Sequence, residues 1–227
     1  MHDITSYVRV LQFIEQSGET VTLHGAKDAR LGISQSTIYV LKAGVFLHLY
    51  NLVESTVSAA LTRTAEEVKS SGVPFADLCD CWQRQWASRF VQFDEEPSQD
   101  TRLDYALRMC KHISDGVAIE IDPKLSGGNL DDRVIEDVAA RYGISITLSP
   151  NVLKRVKREV HNDQGCLGLV KLWRNRLAHG TDSFADIGKD YAVAELATWS
   201  CTTYRYLKQL IGNFERYTLA NQFRRHA

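Results

Sequence analysis

Apolar positions recur at steps of three and four residues through most of the chain, with no internal repeat, so the pattern is helical. From Ile4 to Gln16, Val8, Leu11 and Ile14 follow that spacing and Ser17-Gly18 closes the segment, which predicts a first helix. Thr20 to Leu31 alternates apolar residues with threonines only briefly. It is read as an extended crossover, because an isolated strand without a partner is marginal. Ser34 to Ser70 reads as one long helix, or two with a break. Its middle, Tyr39 to Tyr50, is apolar nearly all round, so it must be covered on more than one side, as the central helix of a bundle or also as an oligomer interface.

A further helix is predicted from Phe75 to Phe93, where Leu78, Trp82, Trp86 and Phe90 repeat every fourth residue. That aromatic stripe suits a core or interface better than a platform for nucleobases. Acidic Asp94-Glu95-Glu96 and then Pro97 end it. Leu103, Leu107 and Cys110 suggest a short helix, Val117 to Ile121 has strand-like composition, and Ser126 to Asn129 is a loop. Asn129 or Asp131 caps a helix from Leu130 to Tyr142 that Gly143 stops, and Ser149-Pro150 opens another running to His161. Cys166 to His179 is the next helix, closed by Gly180. The last runs from Lys189 to Ala220, with Tyr204, Leu207, Ile211 and Phe214 on one face. Nothing separates two domains cleanly, so residues 1–227 are read as a single all-α domain.

Composition narrows the class. With 227 residues, 44% hydrophobic, 24% charged and 4 prolines, the chain is an ordinary globular one, which excludes collagen-like, mucin-like and disordered classes. Lys+Arg 27 against Asp+Glu 28 leaves a formal net charge of -1, so a polyanion would have to be held by a local basic patch. The five cysteines, Cys79, Cys81, Cys110, Cys166 and Cys201, are odd in number and scattered, which points to inert thiols in a reducing cytoplasm. Cys79 and Cys81 with His112 offer a metal reading, but zinc sites space their cysteines by about two to four residues, and no metal or other cofactor is expected. The opening Met-His-Asp-Ile-Thr lacks a basic and an apolar segment, so no secretory signal is expected. The apolar run Ile38 to Val53 is interrupted by Lys42, His48 and Asn51, so no membrane anchor is expected.

The chemistry is concentrated in Leu172-Trp173-Arg174-Asn175-Arg176-Leu177-Ala178-His179-Gly180. Leu169, Leu172, Trp173 and Leu177 anchor this helix, and the polar residues stand out against them. Asn175 and His179 are four apart and share a face, with Arg174 one residue off. An arginine offers a planar fork for phosphate, a histidine can move a proton, and an asparagine can orient either the imidazole or a substrate oxygen. The trio matches the needs of phosphodiester cleavage without a metal. The same residues also fit a plainer role, with His179 capping the last carbonyls and Arg174 and Arg176 lying along the surface.

The string Arg174-Asn175-Arg176-Leu177-Ala178-His179 resembles the R-x4-6-H motif of the HEPN superfamily, helical domains many of which are ribonucleases. Leu49 to Thr56, Gly128-Asn129-Leu130-Asp131, Arg141-Tyr142-Gly143 and Leu177 to Gly180 with Ser183-Phe184 are similar to a bacterial branch of that superfamily linked to toxin and genome-defence loci, over about residues 1–218. The resemblance implies an up-and-down helical bundle with additional helices. It also implies a homodimer with adjacent motif helices, joining two copies of Arg174, Asn175 and His179 in one cleft. By the family mechanism the ribose 2′-hydroxyl attacks the adjacent phosphate, His179 serves as acid or base, Arg174 stabilises charge on phosphorus and Asn175 positions the groups. Thr181 stands where related toxins carry a tyrosine that a nucleotidyltransferase antitoxin modifies, which argues against that mode of regulation.

Between Asn151 and Gly180 seven basic residues, Lys154, Arg155, Lys157, Arg158, Lys171, Arg174 and Arg176, face only Glu159 and Asp163, a patch suited to a phosphate backbone. Lys171, one turn before Arg174, and Arg176 are the candidate RNA contacts, while Glu54 on the long apolar helix is read as structural. The expectation is a cytoplasmic, metal-independent endoribonuclease acting as a toxin or antiviral effector, with RNA as substrate and an antitoxin or defence protein as partner. The alternative is a non-catalytic HEPN module that binds nucleotide or RNA and scaffolds a defence complex.

Overall fold

The computed structural model describes residues 2–16, 20–22, 30–91, 96–117, 119–123, 125 and 129–225. In chain order the elements are α1 (His2–Gln16), strands β1 (Thr20–Thr22) and β2 (Arg30–Gly32), α2 (Gln35–Ser70), α3 (Asp80–Ser88), α4 (Gln99–Ser114), α5 (Asp132–Arg141), α6 (Pro150–Lys157), α7 (Cys166–Ala178), α8 (Phe184–Lys189) and α9 (Val193–Leu219). The fold is helical, as the apolar spacing predicted. The chain forms two compact units interleaved in sequence: Met1–Thr56, Ser126–Asp132 and Leu148–Lys208 make the first, and Val57–Leu125, Arg133–Thr147 and Gln209–Ala227 the second.

In the first unit, α1 buries Val8, Leu11 and Ile14 at the spacing read from the sequence. The predicted crossover is instead a ribbon, because β1 and β2 pair antiparallel with Val21 opposite Leu31 and so supply the partner a lone strand would lack. Helix α2 is unbroken, and by length and a mean hydropathy of 1.2 it is apolar enough to cross a membrane. Its apolar residues are used otherwise: Ala43, Val45, Phe46, Leu49 and Tyr50 are fully buried inside the fold. Burial inside the fold thus covers one side of that stretch, while Val40 on it stays exposed. Lys42, buried on α2, is met by Glu15 at 3.3 Å, which offsets the cost of burying its charge. A Cβ on Gly188 would lie 1.8 Å from the Tyr39 carbonyl oxygen, so glycine alone lets α8 approach α2 this closely.

Two helix ends differ from the sequence reading for local reasons. Helix α6 stops at Lys157 rather than His161, because Asn162 and Asp163 adopt positive φ (45° and 60°) and the Val160 N–H turns back to Gln164 O at 2.9 Å. The last helix begins at Val193, not Lys189, since Ser183 Oγ accepts from the Asp186 N–H (3.0 Å) and starts α8 separately. Tyr204, expected on the buried face of α9, is exposed while Leu207 and Phe214 are buried.

The second unit is built around the aromatic stripe. Trp82 and Trp86 are buried, and Trp86 packs against Phe75 and Phe90 at ring separations of 5.0 and 4.8 Å. The predicted helix from Phe75 to Phe93 is shorter. Phe75–Asp77 is a 3-10 turn, Leu78 is extended, and α3 covers only Asp80–Ser88. The break belongs to the chain's end, because Leu78 pairs with Arg224 and the Cys79 N–H donates to Phe223 O at 2.8 Å. Helix α4 forms, yet the face chosen from Leu103, Leu107 and Cys110 is exposed. Val117, Ile119, Glu120 and Ile121 form no strand. Ser17-Gly18, Asp94-Glu95, Ala118 and Ser126-Gly127-Gly128 lie outside the described residues.

Candidate active site

Helix α7 is fixed by its apolar residues: Cys166, Leu167, Leu169, Val170 and Leu177 are all buried. Trp173 is held by its indole N–H, which donates to Tyr191 Oη at 2.7 Å. The helix closes without help from a side chain. Gly180, at φ 66°, donates its N–H to Leu177 O (3.2 Å), and Thr181 donates to Arg176 O (2.9 Å), the two bonds of a left-handed cap. His179 is the cap residue, but only its backbone takes part, donating to Asn175 O at 3.0 Å. Its imidazole is exposed and, among the described residues, makes no hydrogen bond. The capping role open to His179 in the sequence is thus filled by the backbone.

Arg174 and Asn175 are assembled rather than loose. Arg174 Nη1 donates to Asn175 Oδ1 at 3.0 Å, and the guanidinium lies 4.4 Å from the centre of the Tyr50 ring. Asn175 Nδ2 in turn donates to Asn129 Oδ1 at 3.5 Å. Tyr50 Oη accepts from the Leu130 N–H at 3.2 Å, so one buried tyrosine of α2 supports both the arginine and the segment carrying Asn129. Burial pushes the Tyr50 phenol up and Glu54 adds to this, while the Leu130 N–H, Arg174 and Lys171 act in the opposite sense. Tyr50 is therefore a neutral hydrogen-bonding group at physiological pH.

A model of the MAE_28990-like HEPN family matches residues 3–223. The chain belongs to the HEPN superfamily. No curated protein and no solved structure matches it. Membership makes it an RNase-like or nucleotide-binding helical module.

Within this HEPN fold the sequence-predicted residues divide. Arg174 and Asn175 are joined, and His179 stands one turn further along the same helix. Lys171 and Arg176, expected to contact RNA, are already committed. Lys171 Nζ is paired with Asp131, and Arg176 makes a two-point ion pair with Asp182, its guanidinium 5.2 Å from the Trp173 ring. Glu54 is half-buried one turn beyond Tyr50. Cys79, Cys81 and His112 do not converge: Cys79 Sγ lies 4.0 Å from Tyr217 Oη, and the His112 ring stacks on Trp86 at 5.3 Å. Among the described residues no three His, Cys, Asp or Glu side chains gather as a metal site. Tyr50, Asn129, Asp131 and Asp182 are partners of the motif that its own string does not reveal. The strings containing Tyr50 and Asn129 carry part of the family resemblance, yet nothing in the sequence says that residues 80 and 46 positions apart meet.

Proposed function

We propose that this HEPN protein is a metal-independent endoribonuclease of the cytoplasm, acting as a toxin or antiviral effector that an antitoxin or defence partner restrains. The observation that carries the reading is the division of labour on α7: a half-buried Arg174 preset by Tyr50 and Asn175, beside an exposed His179 that the helix cap does not use. An arginine fixed before substrate arrives suits charge that develops on a phosphorane, and an exposed imidazole suits proton transfer. In the proposed reaction the ribose 2′-oxygen bonds to phosphorus and the bond to the 5′-oxygen breaks. One imidazole takes the 2′-hydroxyl proton and a protonated one supplies a proton to the leaving 5′-oxygen. Two copies of His179, one from each chain of a homodimer, would fill both roles.

The test is induced expression of wild type beside His179→Ala, with growth and RNA integrity followed, and then cleavage by purified protein. His179→Ala and Arg174→Ala each lower cleavage by on the order of 10²-fold or more, with folding retained. Products carry 2′,3′-cyclic phosphate and 5′-hydroxyl ends, and cleavage persists in excess EDTA. Variants that cleave like wild type, or 5′-phosphate ends lost on chelation, would reject the mechanism in favour of the binding-module alternative or of a metal-dependent hydrolase.

A further inference from the structure

Apart from Arg174, which lies on Tyr50 and Asn175, the structure sorts the basic patch into two sets. Lys157 is paired with Asp132 at 2.5 Å, Lys171 with Asp131 and Arg176 with Asp182. Lys154, Arg155 and Arg158 are in no ion pair among the described residues, and these three line a groove of about 730 Å³ in the first unit. One wall is a stripe of α6 and its cap, in which Asn151, Lys154, Arg155 and Arg158 fall at the three-and-four spacing of a single helix face. The other wall is a matching stripe of α9 that carries Glu195, Thr198 and Thr202.

The carboxylates on the rim do not cancel this charge by contact. Glu159 Oε1 accepts from the Asp163 N–H at 3.3 Å, and Glu195 Oε2 accepts from the Ala192 N–H at 2.9 Å, so each serves the backbone. Arg155 spends only its Nε on Asn151 Oδ1 (3.2 Å), which leaves the outer edge of its guanidinium to a ligand. The groove's one aromatic residue, Trp199, is 8% exposed and offers no stacking face. At the floor the Cys166 thiol is pushed up to about 12 by burial and is inert. A groove with unpaired guanidinium and ammonium donors and no base platform fits a phosphate chain read without regard to sequence. At about 730 Å³ it is larger than one phosphate requires.

We propose that this groove is an exosite for the phosphodiester backbone of single-stranded RNA, feeding the strand towards Arg174 and His179; the identity of the ligand rests on the function proposed above. Cys166 at the groove opens α7 and Arg174 lies eight residues on, about 12 Å along the axis at the rise of an α-helix.

The experiment compares wild type with the triple variant Lys154→Gln, Arg155→Gln, Arg158→Gln, whose side chains are exposed so that the fold is kept. Binding of a labelled 20-nucleotide RNA is measured by anisotropy between 50 and 200 mM salt, with His179→Ala added to both proteins to prevent cleavage. Losing three phosphate contacts lowers the salt slope by about 2, so wild type loses about 20-fold more affinity than the variant over that range. Scrambled RNA and DNA of the same length behave alike, whereas a dinucleotide is cleaved equally by wild type and by the triple variant with His179 restored. An unchanged slope overturns the exosite, as does displacement of the RNA by poly-glutamate at equal charge, which would point to an acidic protein instead. Displacement by ATP or pyrophosphate at concentrations where RNA binding is otherwise saturated also overturns it, in favour of a nucleotide site. If the slope changes but His179→Ala cleaves like wild type, the groove stands and the proposed catalysis fails.

Discussion

At Tyr50 a single side chain performs two tasks that a substitution can separate. Its ring lies under the Arg174 guanidinium and its hydroxyl oxygen accepts from the buried Leu130 N–H. Tyr50→Phe keeps the ring but strands that N–H, at a cost of roughly 1–3 kcal/mol. The expected outcome is lower stability together with faster hydrogen exchange at Leu130 and partial loss of cleavage, because the segment carrying Asn129 loosens. Tyr50→Leu removes both tasks and falls further in activity. Equal cleavage by the two variants would show that the ring contributes nothing to placing Arg174. Asn175 differs, since its contacts with Arg174 and Asn129 orient groups that other contacts also hold. Asn175→Ala is accordingly milder than Arg174→Ala in the same assay.

Among the elements, the packing of the second unit turns on Tyr217 of α9. Its hydroxyl accepts from the Trp82 indole N–H and donates to Tyr142 O, both at 2.8 Å, and burial pushes its ionisation well above the usual tyrosine range. Tyr217→Phe leaves a buried donor and a buried acceptor unmatched. It should lower stability by roughly 1–3 kcal/mol, read as a fall in Tm of about 2–4 °C per kcal/mol by thermal unfolding. Tyr217 also shows where reading the sequence ends. Helix stops were legible where a glycine marks them, as at Gly143 and Gly180, whose positive φ values suit a residue without a Cβ. The break at Leu78 was not, because Arg224 at the far end of the chain imposes it. The Asn162-Asp163 turn was written in the sequence but outweighed by the helical pattern around it. The site follows the same division. Arg174, Asn175 and His179 stand together in one string, whereas the pairing of Lys171 and Lys157 depends on Asp131 and Asp132, which reach them only through the fold. Counting charges revealed the basic patch, and only the structure separated the cations already paired from those lining the groove.

For the whole molecule the open question is assembly, and the chemistry constrains it. Most of the largest apolar side chains in the middle of α2 are buried inside the fold, so the case for a shared site rests on the motif end of α7, where Ala178, His179 and Gly180 are exposed. Cleavage by 2′-hydroxyl attack needs a proton acceptor and a proton donor, and each chain brings one His179. A two-fold dimer that brings the two α7 ends together supplies both from identical residues. Such a dimer should scatter light as twice 25.6 kDa. A mass alone does not test sharing of the site, but mixing does. When wild type is exchanged with His179→Ala, a site that needs both histidines is active only in wild-type pairs, so an equal mixture retains about a quarter of the activity at random C2 pairing. Independent sites would retain half. Activity that falls as the square of the wild-type fraction is the expected result, and a linear fall, or full activity from a strictly monomeric protein at tens of micromolar, would remove the composite site and require a second proton carrier from within the same chain.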